Sequence, residues 1–318
     1  MAKTTIEWAT DVWNPVTGCT KVSEGCRNCY AEQNAKRFWG NRPFTEVRCH
    51  EHKLEEPLHW RKPRKMFVNS MSDLFHPDVP FSFIDRVFAV MALTPHITYM
   101  VLTKRPKWML GYFSTGDPED FWADRWPTAM MRLTGESEPT VFPLPNVWLG
   151  VTAENQQTAD ERIPLLLQTP AAVRFASVEP MLGAVNLTGI QRNLGRGLFG
   201  DCLKPYHIPA CEKNREYPHL DWVICGGESG PNARPMHPDW ARSLRDQCKA
   251  AGTPFMFKQW GEWLPNVYGD KSIPMNTDFN KTHCHFEDGT AMAKVGKKAA
   301  GRLLDGVEHN EFPEVQNG

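Results

Sequence analysis

Six runs along the chain share one pattern, a near-continuous apolar stretch that ends in a cluster of polar residues. They are KMFVNSMSD (65–73), ITYMVLTKRP (97–106), NVWLGVTAEN (146–155), AVRFASVEPM (172–181), DWVICGGESG (221–230) and PFMFKQWGEW (254–263). Continuous apolarity predicts strands covered on both faces. The spacing between runs leaves room for a helix each time, the alternation of a parallel α/β sheet or barrel. One earlier strand is expected around TIEWATDVW. Apolar residues recur at helical spacing in FSFIDRVFAVMALT (81–94) and in HPDWARSLRDQCKAAG (237–252), which closes on a Gly C-cap signal. The expected fold is therefore α/β, a partial (β/α) barrel of about six parallel strands over residues 1–270, with residues 271–318 as a C-terminal extension packed on it. Intervals 111–145 and 183–220 are too long for simple crossovers and read as insertions, lids or substrate-facing loops.

The polar tails gather at the C-terminal ends of the strands, where ligands bind in such folds, so they define one expected pocket. Charge adds little. With 36 basic and 37 acidic residues the net charge is −1, so any attraction to nucleic acid must come from local stretches such as RFWGNRP and HWRKPRK. The N-terminus lacks the basic start and apolar run of a secretory signal, and no stretch has the roughly 18 apolar residues of a membrane span. A cytoplasmic protein without a membrane partner is expected. Nine cysteines in a reducing compartment point to metal ligation, catalysis or buried thiols rather than disulfides.

Three of them stand close together in NPVTGCTKVSEGCRNCYAEQNAKRF. Cys19, Cys26 and Cys29 are spaced C-x6-C-x2-C within eleven residues, bracketed by Gly18 and Gly25. Three soft thiolates suit an iron–sulfur cluster or zinc. A closed zinc site needs a fourth ligand, and the nearest candidates, Cys49, His50 and His52, come about twenty residues later. A [4Fe–4S] cluster on three cysteines instead leaves one iron open to a substrate or cofactor. Both readings remain at this point. A second metal set is offered by Cys202, His207 and Cys211, spaced C-x4-H-x3-C, as a structural zinc site.

Taken in order, IEWATDVWNPVTGC…GCRNCYAE, FVNSMSDLFH, LTKRP, GVTAEN, SVEPML, CGGESG…ARPMHPDWARSLRDQC, FKQWGEW and KKAAGRLLDG resemble the phage-type three-cysteine-motif family. That family is distantly similar to spore photoproduct lyase and the wider radical S-adenosylmethionine (SAM) enzymes. The resemblance covers most of the chain outside the two long intervals. It implies a radical SAM-like barrel with a [4Fe–4S] cluster on Cys19, Cys26 and Cys29, and SAM chelating the open iron. It also implies a reducing electron donor, whose electron cleaves SAM to methionine and a 5′-deoxyadenosyl radical that abstracts hydrogen from substrate. The commonest radical SAM spacing is C-x3-C-x2-C with an aromatic residue before the last cysteine. Here the first gap is six, and the aromatic residue, Tyr30, follows Cys29.

On this reading Tyr30, Ser70, Ser72, Asp73, Lys104, Thr152, Glu154 and Glu179 are expected to hold SAM. Asp73 has a physical reason to be there, since a carboxylate can pair with the SAM ammonium; capping of a following helix by Ser72 or Asp73 is the structural alternative. Arg105, Glu228, Arg234, Lys258 and Trp260 are assigned to substrate, Trp260 by stacking on a base. Gly226 and Gly227 would let the backbone approach a ligand. Cys225 would give a hydrogen atom to a product radical, or else fill the core. The expected substrate is a nucleic-acid base or modified nucleotide, most specifically a modified or damaged thymine in DNA, with lyase, isomerase and hypermodification chemistry all open. In a phage-encoded protein it would meet that substrate in the host cytoplasm. The competing function is a non-enzymatic zinc module that contacts nucleic acid or a partner protein.

Overall fold

In a computed structural model, residues 4, 6–114, 118–137, 141–191, 199–207, 216–265 and 282–314 are described. Seven strands form the main sheet: β1 (Asp11–Trp13), β2 (Arg64–Val68), β3 (Ile97–Thr103), β4 (Val147–Thr152), β5 (Val173–Val178), β6 (Trp222–Gly226) and β7 (Phe255–Gln259). Their order in the sheet is their order in the chain. β1 pairs with β2, β2 with β3, β3 with β4 and β6 with β7, all in parallel. An unreversed order of parallel strands is the topology of a (β/α) barrel opened at one edge, not of a doubly wound sheet. The α/β fold read from the sequence is thus present, and the expected early strand is β1.

The helices between strands are α1 (Tyr30–Phe38), α2 (Phe81–Ala92), α3 (Pro106–Ser114), α4 (Pro118–Thr134), α5 (Gln156–Gln168) and α6 (Pro238–Ala251). In α2 the apolar spacing buries Phe83, Ile84, Val87, Phe88 and Met91 on one side. α6 ends at Gly252, whose φ of 73° is the left-handed cap that the sequence signalled. Within the interval 111–145 the described residues are mostly helical. Trp126 of α4 is buried, its ring stacked on Phe88 at 5.2 Å, and Ala129 and Met130 are buried as well, so this part of α4 packs into the core. The interval 183–220 contains two short antiparallel ladders, Ile190–Gln191 with Phe199–Gly200 and Tyr206–His207 with Glu216–Tyr217.

The chain divides into two compact units. The first comprises residues 1–22, 31–151 and 162–175, and the second residues 23–30, 152–161 and 176–318. The boundary falls inside the cysteine motif, with Cys19 in the first unit and Cys26 and Cys29 in the second. Within the second unit the C-terminal stretch lies on the last strands. Phe257 N donates to His309 O (3.0 Å), Trp222 Nε1 to Glu311 O (2.8 Å) and Trp260 Nε1 to Leu303 O (2.8 Å). Among the described residues no helix is long and apolar enough to cross a membrane.

Candidate functional site

In the first unit the chain leaves β1 and is pinned before it reaches Cys19. Asn14 Oδ1 accepts from Ser70 Oγ (3.2 Å) and Met71 N (3.1 Å), and Val16 O accepts from Ser72 Oγ (2.8 Å). Both serine hydroxyls expected at SAM therefore hold the loop that carries the first cysteine. Gly18 has φ +95°, and a Cβ there would sit 2.1 Å from Glu46 O, so no other residue fits without moving backbone. Cys19 N then donates to Phe44 O (2.9 Å).

The Cys19 sulfur meets Arg105. Arg105 Nη1 donates to Cys19 Sγ (3.3 Å) and to Asp73 Oδ2 (3.1 Å), while Nη2 donates to Thr20 O (2.7 Å) and Thr20 Oγ1 (2.9 Å). Asp73 also accepts from Phe75 N (3.0 Å), Thr103 Oγ1 (2.7 Å) and Lys104 N (3.1 Å). The side chains of Arg105 and Asp73 are only 6% and 7% exposed. Burial disfavours the Arg105 charge, but the Asp73 carboxylate and the Cys19 sulfur outweigh it and hold the guanidinium above its ordinary pKa. His76 Nε2 lies 2.8 Å from Thr20 Oγ1 and completes the cluster. Arg105, assigned to substrate from the sequence, is instead buried against the cysteine loop. Asp73 spends its carboxylate on that arginine and on three other donors.

The second unit treats the rest of the motif in the same way. Residues Glu24–Cys26 form a single 3-10 turn, closed by Cys26 N to Ser23 O (2.9 Å). Ser23 Oγ donates to Glu154 Oε1 (2.9 Å), and a Cβ on Gly25 would sit 2.4 Å from Glu154 Cγ. Glu154 is 1% exposed, so it has nowhere to retreat. Glu228 Oε2 accepts from Asn28 Nδ2 (3.0 Å), Arg234 N (2.8 Å) and Arg234 Nε (2.9 Å), and Oε1 from Arg234 Nη2 (2.7 Å). Arg234 Nη2 reaches on to Glu24 O (2.9 Å). Burial works against the Glu228 charge, and the hydrogen bonds from Arg234 and Asn28 overcome it, keeping its pKa below the usual carboxylate value. Glu228 and Arg234 were expected at substrate; they clamp the turn that carries Cys26 and Cys29.

Deeper in this unit Glu179 accepts from Lys258 Nζ (2.8 and 2.9 Å) and Gln259 Nε2 (3.2 Å). Gln259 is buried, and its Oε1 has no hydrogen-bond partner among the described residues. Cys225 is fully buried with Sγ 3.7 Å from Met181 Sδ, and burial above all, then the nearby Glu179 and Cys248, pushes its thiol pKa far up. Thr152 is also buried, whereas Tyr30 is 47% exposed at the start of α1.

Trp260 and the Gly226–Gly227 pair are tightly packed. Trp260 is 2% exposed, its ring is 5.0 Å from that of Phe257, and its N–H is taken by Leu303 O, so it is a core residue with no face for a base. A Cβ on Gly227 would meet Trp260 O at 2.0 Å and one on Gly226 would meet Glu179 at 3.2 Å. These glycines make room for the protein's own groups. Of the second metal set, Cys211 lies outside the described residues, and Cys202 is fully buried. Ser23, Asn28, Thr20 and His76 were missed by sequence reading, since single polar residues at these positions carry no spacing signal.

A family model described as protein of unknown function (DUF5131) matches residues 3–313. A search of curated proteins gave no match. Among solved structures, a mutant of spore photoproduct lyase aligns with 10% identity over 76% of this chain and 73% of its own, with a TM-score of 0.35. Spore photoproduct lyase complexed with dinucleoside spore photoproduct gives 11%, 74%, 71% and 0.35. A double mutant with bound AdoMet and dinucleoside spore photoproduct gives 11%, 76%, 72% and 0.36. Likeness at this level bears on neither reaction nor substrate.

Proposed function

Because the chain belongs to the family described as protein of unknown function (DUF5131), its activity has to be read from its own residues, and we propose that it is a radical SAM enzyme acting on a nucleic-acid base. The observation that carries this reading is that each part of the three-cysteine motif is held by an ion pair, one of them fully buried and the other built on a buried carboxylate. Asp73–Arg105 fixes the Cys19 segment, and Glu228–Arg234 fixes the segment of Cys26 and Cys29. Buried charge is costly, and a buried pair together with a buried carboxylate committed to one short loop fit thiols that must keep a set geometry. None of the three sulfurs is in a disulfide and all three residues are partly exposed, as ligands to a cluster reached by a cofactor would be.

A closed zinc site fits less well. His50 Nε2 is engaged by Thr17 Oγ1 at 2.7 Å. Among the described residues, the one trio of His, Cys, Asp or Glu ligand atoms close enough to share an ion is His237, Asp239 and Asp288, none of which belongs to the motif. There His237 Nδ1 already accepts from Asp239 N (3.1 Å).

A [4Fe–4S] cluster on Cys19, Cys26 and Cys29, when loaded and reduced by an external donor, would supply reductive cleavage of SAM and hence hydrogen abstraction. The remaining roles belong to the chain. Lys104 and Glu179, both partly exposed, offer polar groups for SAM, Tyr30 offers a ring at the end of the motif, and the buried Thr152 and Glu154 would act by positioning, Glu154 through Ser23. Cys225 is proposed as the hydrogen-atom donor to a product radical, its S–H bond breaking as a C–H bond forms and leaving a thiyl radical; because its sulfur is fully buried, the donation requires the packing around Met181 to open. Arg37 sits 5.1 Å over the ring of Phe38, which is 69% exposed, and Arg42 sits 4.2 Å over Trp39. Such cation–aromatic pairs suit a nucleic-acid strand, and a modified or damaged thymine in DNA is the substrate proposed.

The reading is tested by anaerobic reconstitution with iron and sulfide followed by metal analysis. A brown protein with iron and labile sulfide matching one [4Fe–4S] cluster per chain, lost in Cys26→Ala, is expected. A colourless protein carrying one zinc and no iron would overturn it in favour of a zinc module.

A further inference from the structure

We infer that Arg105 is a positioning residue that sets the reduction potential and retention of the cluster through the Cys19 sulfur; the inference rests on the cluster reading above. The geometry is specific. One guanidinium nitrogen is shared between Cys19 Sγ and Asp73 Oδ2, and the other is fixed by two oxygens of Thr20, the residue next to the ligand. Asp73 is anchored in turn by Phe75 N, Thr103 Oγ1 and Lys104 N, and Arg105 N donates to Thr103 Oγ1 (2.9 Å). The donor therefore approaches the sulfur from a frame at the end of β3 that cannot rotate away. Were the pair only structural, Asp73 and Thr20 would satisfy the guanidinium without the contact to sulfur.

A hydrogen bond from a buried cation to a ligand sulfur draws charge from the thiolate. It thereby favours the cluster state with one more electron, and raises the reduction potential. It also restrains the Cys19 sulfur, which would favour retention of a bound cluster. Both effects act through Cys19, and the sequence motif shows neither.

The test compares reconstituted wild type with Arg105→Met, Arg105→Lys and Thr20→Ala. Far-UV circular dichroism first confirms that each variant is folded. The potential is then read by EPR-monitored titration with a chemical reductant, and iron loss is timed against a chelator. Arg105→Met is expected to shift the potential negative and to lose iron about 10-fold faster, the lower range for outer-shell partners of a metal ligand. Arg105→Lys, which keeps the charge, should recover part of the shift. Thr20→Ala, which loosens the clamp without deleting the donor, should give a smaller shift of the same sign and serves if Arg105→Met does not fold. Equal potential and equal iron retention in loaded wild type and folded variants would overturn this inference alone. A wild-type chain that takes up no iron would overturn it together with the cluster.

Discussion

Asp73→Asn is the substitution whose cost the structure fixes best. Asp73 and Arg105 face each other at 3.1 Å with side chains 7% and 6% exposed, so neither charge is shared with water. Removing one member leaves a buried guanidinium without its counter-charge, which costs about 3–5 kcal/mol. A whole domain is stable by only about 5–15 kcal/mol, so the loss is a large fraction of the total. With a urea slope of about 3 kcal/mol/M, a loss of about 4 kcal/mol lowers the unfolding midpoint by roughly 1.3 M. The assay is urea unfolding of the metal-free chain, followed by fluorescence and circular dichroism together. The double variant with Asp73→Ala and Arg105→Met should be less destabilised than Asp73→Ala alone, because it leaves no orphaned charge. The exposed pair Glu51–Arg86, with side chains 64% and 29% exposed, supplies the contrast and should be worth about 1 kcal/mol or less. If Asp73→Asn costs no more than that, the frame described around Cys19 does not bear the charge assigned to it.

Gly25→Ala should drive a methyl into Glu154, leaving the circular dichroism spectrum intact while iron retention drops about 10-fold on reconstitution. Trp260→Ala should cost about 3–5 kcal/mol in urea unfolding and leave DNA affinity of the surviving fold unchanged, which separates its core role from a base-stacking one. Deleting residues 301–318 should uncover Trp222 and Trp260 and raise binding of an apolar dye, because both indole N–H groups lose their carbonyl partners. His50 is held neutral by burial, which depresses its pKa from 6.5 to about 4. The unfolded chain therefore takes up the proton first, and stability should fall as pH drops from about 6.5 towards about 4. His50→Gln should flatten that slope.

The strands and two of the helices were legible because strand apolarity and helical spacing are dense, repeated signals. KMFVNSMSD and DWVICGGESG each read as a strand whose end is polar, and each is one. The interval 111–145 misled because its Trp, Asp and Pro residues look like loop chemistry, whereas Trp126 turns inward on Phe88. The polar strand ends were found, but not which way they face. Nothing in LTKRP distinguishes an arginine aimed at solvent from one buried against a cysteine distant in sequence, and nothing in CGGESG pairs Glu228 with Arg234. Trp260 illustrates the same limit, since an indole at a strand end serves a base or a core equally until its neighbours are placed. Several residues expected to touch ligand are thus the supports of the cysteine loop.

The central claim is that the three thiols serve a SAM-cleaving cluster. It is tested most directly by incubating the anaerobically reconstituted, reduced chain with SAM and assaying 5′-deoxyadenosine. Formation by wild type and none by Cys26→Ala is the predicted result. A fully loaded cluster that forms no 5′-deoxyadenosine, with candidate thymine-containing DNA present, would contradict it.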